Sequence, residues 1–262
     1  MSQSKLYGRH AVLEALRAGG GGIERILLAR GGHGPVFHQL QNEAQARRIP
    51  VETLDRRRFE KLAGPVVHQG VLALCTAKRY ADLTDLIAKT AAHPREALVV
   101  VADEIEDPRN LGAIARCADA AGADGLVIPS RRSAEITPVA DKASAGAASH
   151  LTVARVGNLA IALRELKEAG LWIAGLDAEE GQDLWEADLA RPLALVVGGE
   201  GKGMRRLTRD LCDLRVKAPM RGRVRSLNAA VAAGVVLYEV LRQRRLGPGA
   251  QTGAVMEEDT PL

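Results

Sequence analysis

Apolar positions in the first third of the chain change period every few residues. Residues 7–18, Y-G-R-H-A-V-L-E-A-L-R-A, place apolar side chains at helical spacing, and the glycines at 19–22 stop that helix. Residues 23–29 read as a short strand, 36–47 as a second helix, 51–54 as a strand and 56–62 as a short helix. After V-V-H-Q-G at 66–70, residues 71–75 read as another strand. Alternation on this scale predicts a small α/β domain over residues 1–77. Residues 78–96 are polar and Ala-rich, with Pro94 near their end, and read as a linker with room for one helix.

From residue 97 the pattern becomes bolder. Apolar runs at 97–102, 125–129, 151–155, 171–176, 193–197 and 214–217 alternate with helical segments, and a long helix at 227–244 closes the series. Near-continuous apolar strands separated by helices predict a mostly parallel sheet covered on both faces, over residues 97–246. Residues 247–262 hold turn formers and acids without periodicity, and are expected to be a disordered tail.

Composition narrows the partners. Lys and Arg exceed Asp and Glu by 36 to 32, a mild excess. Arginines cluster at 47–48, 56–58, 131–132, 205–206 and 221/223/225, which suits a polyanion. Aromatic residues are 3% of the chain, which argues against a base-stacking platform. The N-terminus M-S-Q-S-K-L is polar and no long uncharged apolar run follows, so a cytoplasmic protein without membrane contact is expected. Three scattered cysteines, and histidines without ligand spacing, predict neither a disulfide framework nor a metal.

Three loops fall at the carboxyl edge of the expected sheet, where ligands collect. The first, 103–116, reads D-E-I-E-D-P-R-N-L-G-A-I-A-R. Asp107 can cap the following helix, and Pro108 suits its first position. Gly112 permits a close approach to the backbone. Arg116 is a charge among small apolar neighbours and calls for a partner or a ligand. Taken alone, the loop is equally well explained as an ordinary capped helix with Arg116 at its edge. The second loop, 195–204 (L-V-V-G-G-E-G-K-G-M), carries four glycines around Glu200. Its spacing fits neither the dinucleotide fingerprint nor the P-loop, which leaves a plain glycine turn or a ligand cradle. The third, 216–228 (V-K-A-P-M-R-G-R-V-R-S-L-N), puts Ser226 where an N-cap is expected and Asn228 inside the first turn. Capping accounts for Ser226, but not for an extra amide at the head of a helix faced with Ala and Val.

Taken in order, D-x-x-x-D-P-R-N-L-G-x-x-x-R, V-G-G-E-G-K-G-M, and A-P-M followed by S-L-N-A-A-V-A-A resemble the three motifs of the SpoU (TrmH-type) family of RNA ribose 2′-O-methyltransferases. The resemblance covers residues 97–246 and includes K-A-S-A-G-A-A at 142–148. It extends to the front unit, where Y-G-R-H-A-V-L-E-A-L and V-H-Q-G-V resemble the family's substrate-binding domain, of ribosomal-protein-L-thirty-like shape. These details are most similar to the branch that methylates a guanosine in 23S ribosomal RNA.

The resemblance implies an α/β fold with a SPOUT-type trefoil-knotted parallel sheet, S-adenosylmethionine as cofactor, a homodimer, and RNA gripped by the front domains. Cofactor contacts are implied at Gly198, Glu200, Ala218, Met220 and Leu227, with Pro219 beside them. The implied catalytic set is Arg116, Asn110, Glu200, Ser226 and Asn228. RNA contacts are placed at Arg9, His10, His68 and Gln69 in the front segments, and at Arg56, Arg57 and Arg58. Two departures from the family pattern are Ser149-His150, where an acidic residue often stands, and Ala218, in place of a bulkier aliphatic.

The chemistry gives these residues work. A ribose 2′-hydroxyl is a weak acid and must lose its proton as it attacks a sulfonium methyl, and alignment alone can lower such a barrier by roughly 7–11 kcal/mol. A guanidinium stays protonated in proteins. Arg116 therefore reads as a cation that stabilises the developing alkoxide and grips the adjacent phosphate, with the proton leaving to phosphate or water. Asn110 and Ser226 would orient Arg116 and the ribose, and no metal is required. Two rivals remain. One is a transfer-RNA ribose methylase, a branch that often carries basic extensions in place of the front domain. The other is a non-catalytic RNA-binding or ribosome-assembly protein on the same scaffold, against which the intact polar set argues.

Overall fold

The computed structural model describes residues 3–17, 20, 22–32, 34–76, 79–178, 180–201 and 203–246, so the expected tail lies outside the described residues. The front unit is a four-stranded sheet of β1 (Gln3–Tyr7), β2 (Ile23–Ala29), β3 (Val51–Leu54) and β4 (Val71–Thr76), in the order β1-β4-β2-β3. Its helices are α1 (Arg9–Arg17), α2 (Pro35–Ala46) and α3 (Arg56–Ala63). Leu16, Ile26 and Leu40 fill a core under α1 and α2, and Phe59 packs with Leu72 on the opposite face. β4 runs antiparallel to β1 and β2, while β3 is parallel to β2. The ends of β1, β2 and β3 and the start of β4 therefore share one edge.

The expected linker holds α4 (Leu83–Thr90), whose Leu86 is fully buried among Val99, Val127 and Ala154 of the second sheet. That segment packs as part of the larger unit. The larger unit contains, in order, β5 (Leu98–Asp103), α5 (Pro108–Ala120), β6 (Gly125–Pro129), α6 (Pro138–Ala143), α7 (Ala147–His150) and β7 (Thr152–Val156). It continues with α8 (Leu159–Glu168), β8 (Trp172–Leu176), β9 (Gln182–Asp183), β10 (Leu193–Gly198), α9 (Arg206–Asp210), β11 (Leu214–Lys217) and α10 (Ala229–Leu246). Its strands are all parallel, in the order β7-β6-β5-β10-β8-β11-β9.

Alternating side chains explain the two covered faces. Leu98, Val100 and Ala102 of β5 pack with residues of α5 and α10, whereas Val99 and Val101 pack with α4 and α8. Gly112 is also explained by packing. A Cβ there would lie 2.2 Å from the Ala140 carbonyl oxygen, so the close approach is made by α6 and not by a ligand. The strand order reverses beside β5, with β6 and β7 on one side and β10, β8 and β11 on the other. Register pairs Gly198 with Asp103 and Val197 with Leu176, which brings three strand ends to one crevice. A reversal point of this kind is where α/β sheets bind ligands.

Candidate active site

Asp103, the last residue of β5, is fully buried. Its carboxylate accepts the backbone N–H of Arg205 at 2.9 Å and the Arg205 Nε–H at 2.6 Å. The end of β5 is thereby tied to the chain just past the glycine loop. Asp107 then caps α5 by accepting the Arg109 N–H at 2.8 Å, and Pro108 opens the helix.

The glycine loop itself is a tight return. Gly203 donates its N–H to the Gly199 carbonyl at 3.0 Å, and Gly201 and Gly203 adopt φ of +81° and +64°. Space matters as much as dihedral freedom. A Cβ on Gly198 would sit 2.3 Å from the Gly203 carbonyl carbon, and one on Gly199 would sit 2.4 Å from the Glu104 carbonyl oxygen.

The three loops meet at Glu200. Asn110 donates its amide to Glu200 Oε1 at 2.7 Å, and Asn228 donates to the same oxygen at 2.6 Å. The Asn228 amide also lies 3.0 Å from Asn110 Oδ1. Asn228 Oδ1 in turn accepts the N–H groups of Ala230 and Val231, at 3.0 and 3.3 Å. Its own carbonyl accepts the Ala232 N–H at 2.9 Å, so Asn228 is the N-cap of α10. The expected cap at Ser226 is corrected accordingly. Ser226 lies two residues before the cap, and Asn228 precedes the first turn and is not inside it.

Beside this network opens a cleft of about 1210 Å³. Gly198, Glu200, Ala218, Met220 and Leu227, the implied cofactor contacts, all line it, as do Ser226 and Asn228. Val197, Leu176 and Met204 supply apolar wall, while the glycine loop presents backbone. Asp177, buried at the end of β8, faces the same cleft with the Arg209 Nε 3.2 Å from its carboxylate. Neither Asp177 nor the Asp103–Arg205 pair was singled out from sequence. A carboxylate directly after an apolar strand was the available signal in both cases. Arg116 stands apart. It is exposed on α5, borders neither the cleft nor the smaller pocket at Asn110, and has no hydrogen bond or ion pair among the described residues. Thiol chemistry is remote, because burial raises Cys75 to about 11 and Cys212 to about 12.

The front-domain candidates gather at the shared strand edge. Arg9 donates its backbone N–H to Gln69 Oε1 at 3.2 Å and its Nε–H to the Gln69 carbonyl at 2.9 Å. His68 accepts the Gly70 N–H on Nδ1, lies 3.2 Å from Glu60, and packs edge-on against Phe59. His10, Arg56, Arg57 and Arg58 are exposed there, on the first turns of α1 and α3. Asp55 caps α3 from the Arg58 N–H.

A doubly covered parallel sheet, a cleft of backbone and apolar wall at its reversal point, and an amide–carboxylate network in a chain with a basic front domain fit an α/β enzyme that binds a ligand at the strand ends and a polyanion. Residues 97–238 match the model of the SpoU rRNA methylase family, and residues 5–81 match that of the RNA 2′-O ribose methyltransferase substrate-binding domain. The chain belongs to the SpoU rRNA methylase family, and it is an RNA methyltransferase. A Staphylococcus haemolyticus protein named as a TrmH family tRNA/rRNA methyltransferase is 42% identical over 244 residues, covering 93% of this chain and 97% of the relative. An AdoMet-bound rRNA methyltransferase from Sinorhizobium meliloti is similar in structure, with a TM-score of 0.58 and 26% identity over 92% of this chain and 87% of its own. A TrmH/SpoU tRNA modifying enzyme from A. aeolicus has a TM-score of 0.52 and 29% identity, over 62% of this chain and 84% of its own.

Proposed function

We propose that the protein, acting in the cytoplasm as a homodimer, methylates the 2′-hydroxyl of a guanosine ribose in 23S ribosomal RNA at the expense of S-adenosylmethionine. The observation that carries this reading is the Asn110–Glu200–Asn228 network, which closes three separate motifs around one cleft mouth. The residues present fit the cofactor. The cleft wall combines the open backbone of the glycine loop with Leu176, Val197 and Met204, as an adenosine with a flexible tail requires. Gly198, Ala218, Met220 and Leu227 would hold it, and it would supply an electrophilic methyl group.

The chain's own residues do the rest. Both amides donate to Glu200 Oε1, while Oε2 has no donor among the described residues and is left to accept from a substrate hydroxyl. Ser226 lines the cleft beside them and orients the ribose. Arg116 acts as a cation toward the developing alkoxide and a neighbouring phosphate. Because its own α5 does not present it to the cleft, the second copy in the dimer is the means of bringing that charge to a site. Val231 and Tyr238, 54% and 56% exposed one heptad apart on α10, give such a dimer an apolar ridge. The return of β11 beside β8, after β10 has passed between β8 and β5, suits a trefoil-knotted carboxyl end.

Ribosomal RNA is favoured over transfer RNA by extent of likeness. The tRNA modifying enzyme aligns over too little of this chain to span both domains, whereas the rRNA methyltransferase aligns over nearly all of it. The test is a 2′-O-methyl map of 23S RNA from a deletion strain. One guanosine should lose its mark and regain it on incubation with the purified protein and S-adenosylmethionine. An unaltered 23S map with a lost tRNA mark would transfer the assignment to tRNA.

A further inference from the structure

Between Asp213 and Glu239 the chain carries Arg215, Lys217, Arg221, Arg223 and Arg225 and no carboxylate. The other arginines around the cleft are committed. Arg205 is held by Asp103 at 2.6 Å, Arg209 by Asp177 at 3.2 Å and Arg215 by Glu180 at 2.6 Å. Arg221, Arg223 and Arg225 are different. All three are exposed, and none has a hydrogen bond or ion pair among the described residues. Like charges crowded into five residues repel one another, so the cluster does not exist to stabilise the fold. A polyanion would relieve it.

Position selects the polyanion. The arginines sit on the irregular loop between β11 and α10, and Gly222, Arg223, Val224 and Arg225 border the same cleft as Glu200 and Asn228. Arg225 is three residues from Asn228, within about 11 Å along the chain. A ribose presented to the network must bring its own backbone past this loop. From Arg221 to Arg225 the chain spans up to about 14 Å, which matches a run of phosphates better than the single carboxylate of a cofactor.

Building on the reading of the chain as an RNA methyltransferase, we propose that Arg221, Arg223 and Arg225 form a second RNA site, a phosphate clamp on the strand carrying the target nucleotide. It works independently of the front-domain contacts at Arg56, Arg57 and Arg58. The clamp holds the strand where the ribose is methylated, while the front domain holds the remainder of the RNA.

The test uses the full chain and an unmodified 23S RNA transcript, with binding measured across a salt series. Loss of three single-strand phosphate contacts should make the slope of log K against log salt shallower by about 2. R221Q/R223Q/R225Q should show that change and at least a tenfold loss of affinity at low salt. The affinity for S-adenosylhomocysteine, read by calorimetry, should stay within twofold. R221K/R223K/R225K should keep the wild-type slope. An unchanged slope in the glutamine variant would overturn the proposal, as would a loss confined to S-adenosylhomocysteine affinity, or a lysine variant as impaired as the glutamine one. Wild-type protein that binds the transcript but transfers no methyl group to it would sink the 23S assignment, and the slope comparison would still decide the role of the arginines.

Discussion

Asn228 serves both the fold and the site, and two substitutions separate the roles. Its Oδ1 caps α10 through Ala230 and Val231, and its amide donates to Glu200 and Asn110. Asn228→Ser retains a capping oxygen but cannot reach Glu200, whereas Asn228→Ala loses both functions. Losing an N-cap costs about 0.5–2 kcal/mol. The two amide bonds are exposed, so each contributes near the lower end of about 0.5–1.5 kcal/mol. The serine variant should therefore lose about 1 kcal/mol and the alanine variant about 1 kcal/mol more, each step lowering Tm by roughly 2–4 °C. Methyl transfer should follow the other pattern. Both variants release Asn110 and Glu200 from their fixed orientation, and loss of a preorganised polar contact of this kind costs about a hundredfold or more in rate. Urea titration and transfer of labelled methyl to 23S transcript read the two effects separately. A serine variant with wild-type turnover would reduce Asn228 to a helix cap and refute the reasoning.

Arg116→Ala should abolish methyl transfer while leaving S-adenosylhomocysteine affinity and solution mass unchanged; normal turnover would remove Arg116 from the mechanism. Gly198→Ala forces a Cβ to within 2.3 Å of the Gly203 backbone. It should destabilise the protein by about 1–3 kcal/mol and weaken S-adenosylhomocysteine binding measured by calorimetry; wild-type affinity would show that the loop yields. Glu239 is buried on α10, and hydrogen bonding from Arg242, with a lesser contribution from Gln243, holds its carboxyl below the ordinary value of 4.5. A depressed carboxylate adds stability above its unfolded value and loses it as pH falls through the folded one. Glu239→Gln should therefore flatten the decline in urea midpoint below pH 4.5, and an unchanged acid limb would assign that decline to other groups.

Much of the fold is legible because its strands are defined by their own side chains. Residues 23–29, 51–54, 125–129 and 214–217 read from sequence coincide with β2, β3, β6 and β11, each an apolar or β-branched run between turn formers. β1 and β9 are not legible, because Q-S-K-L-Y and Q-D carry no such pattern. They exist because β4 and β11 offer them backbone partners. Ser226 and Asn228 are equally good caps by residue type. The choice is tertiary, since only Asn228 also meets Glu200 and Asn110. Gly112 is legible as a close approach, but the sequence does not say to what, and the structure gives α6.

Two carboxylates at neighbouring strand ends, Asp103 closing β5 and Glu200 just past β10, divide the work between frame and chemistry. Asp103 is removed from water, and each of its oxygens is bonded to a single residue, Arg205, so breaking that pair would strand a buried charge. Such a group is too committed to respond to a substrate. Glu200 remains exposed, one oxygen held by two amides and the other without a donor among the described residues, and moving it costs little desolvation. Rigidity is therefore placed at the end of β5, and availability on the glycine loop that follows the neighbouring β10. Just before Glu200, Gly198 and Gly199 let backbone pack against backbone, so the available carboxylate is carried on a loop with little freedom to drift. Under the proposed function, a site built this way holds an oxygen in line with an incoming methyl group. It does so because the orienting groups are fixed by bonds that the substrate does not have to displace.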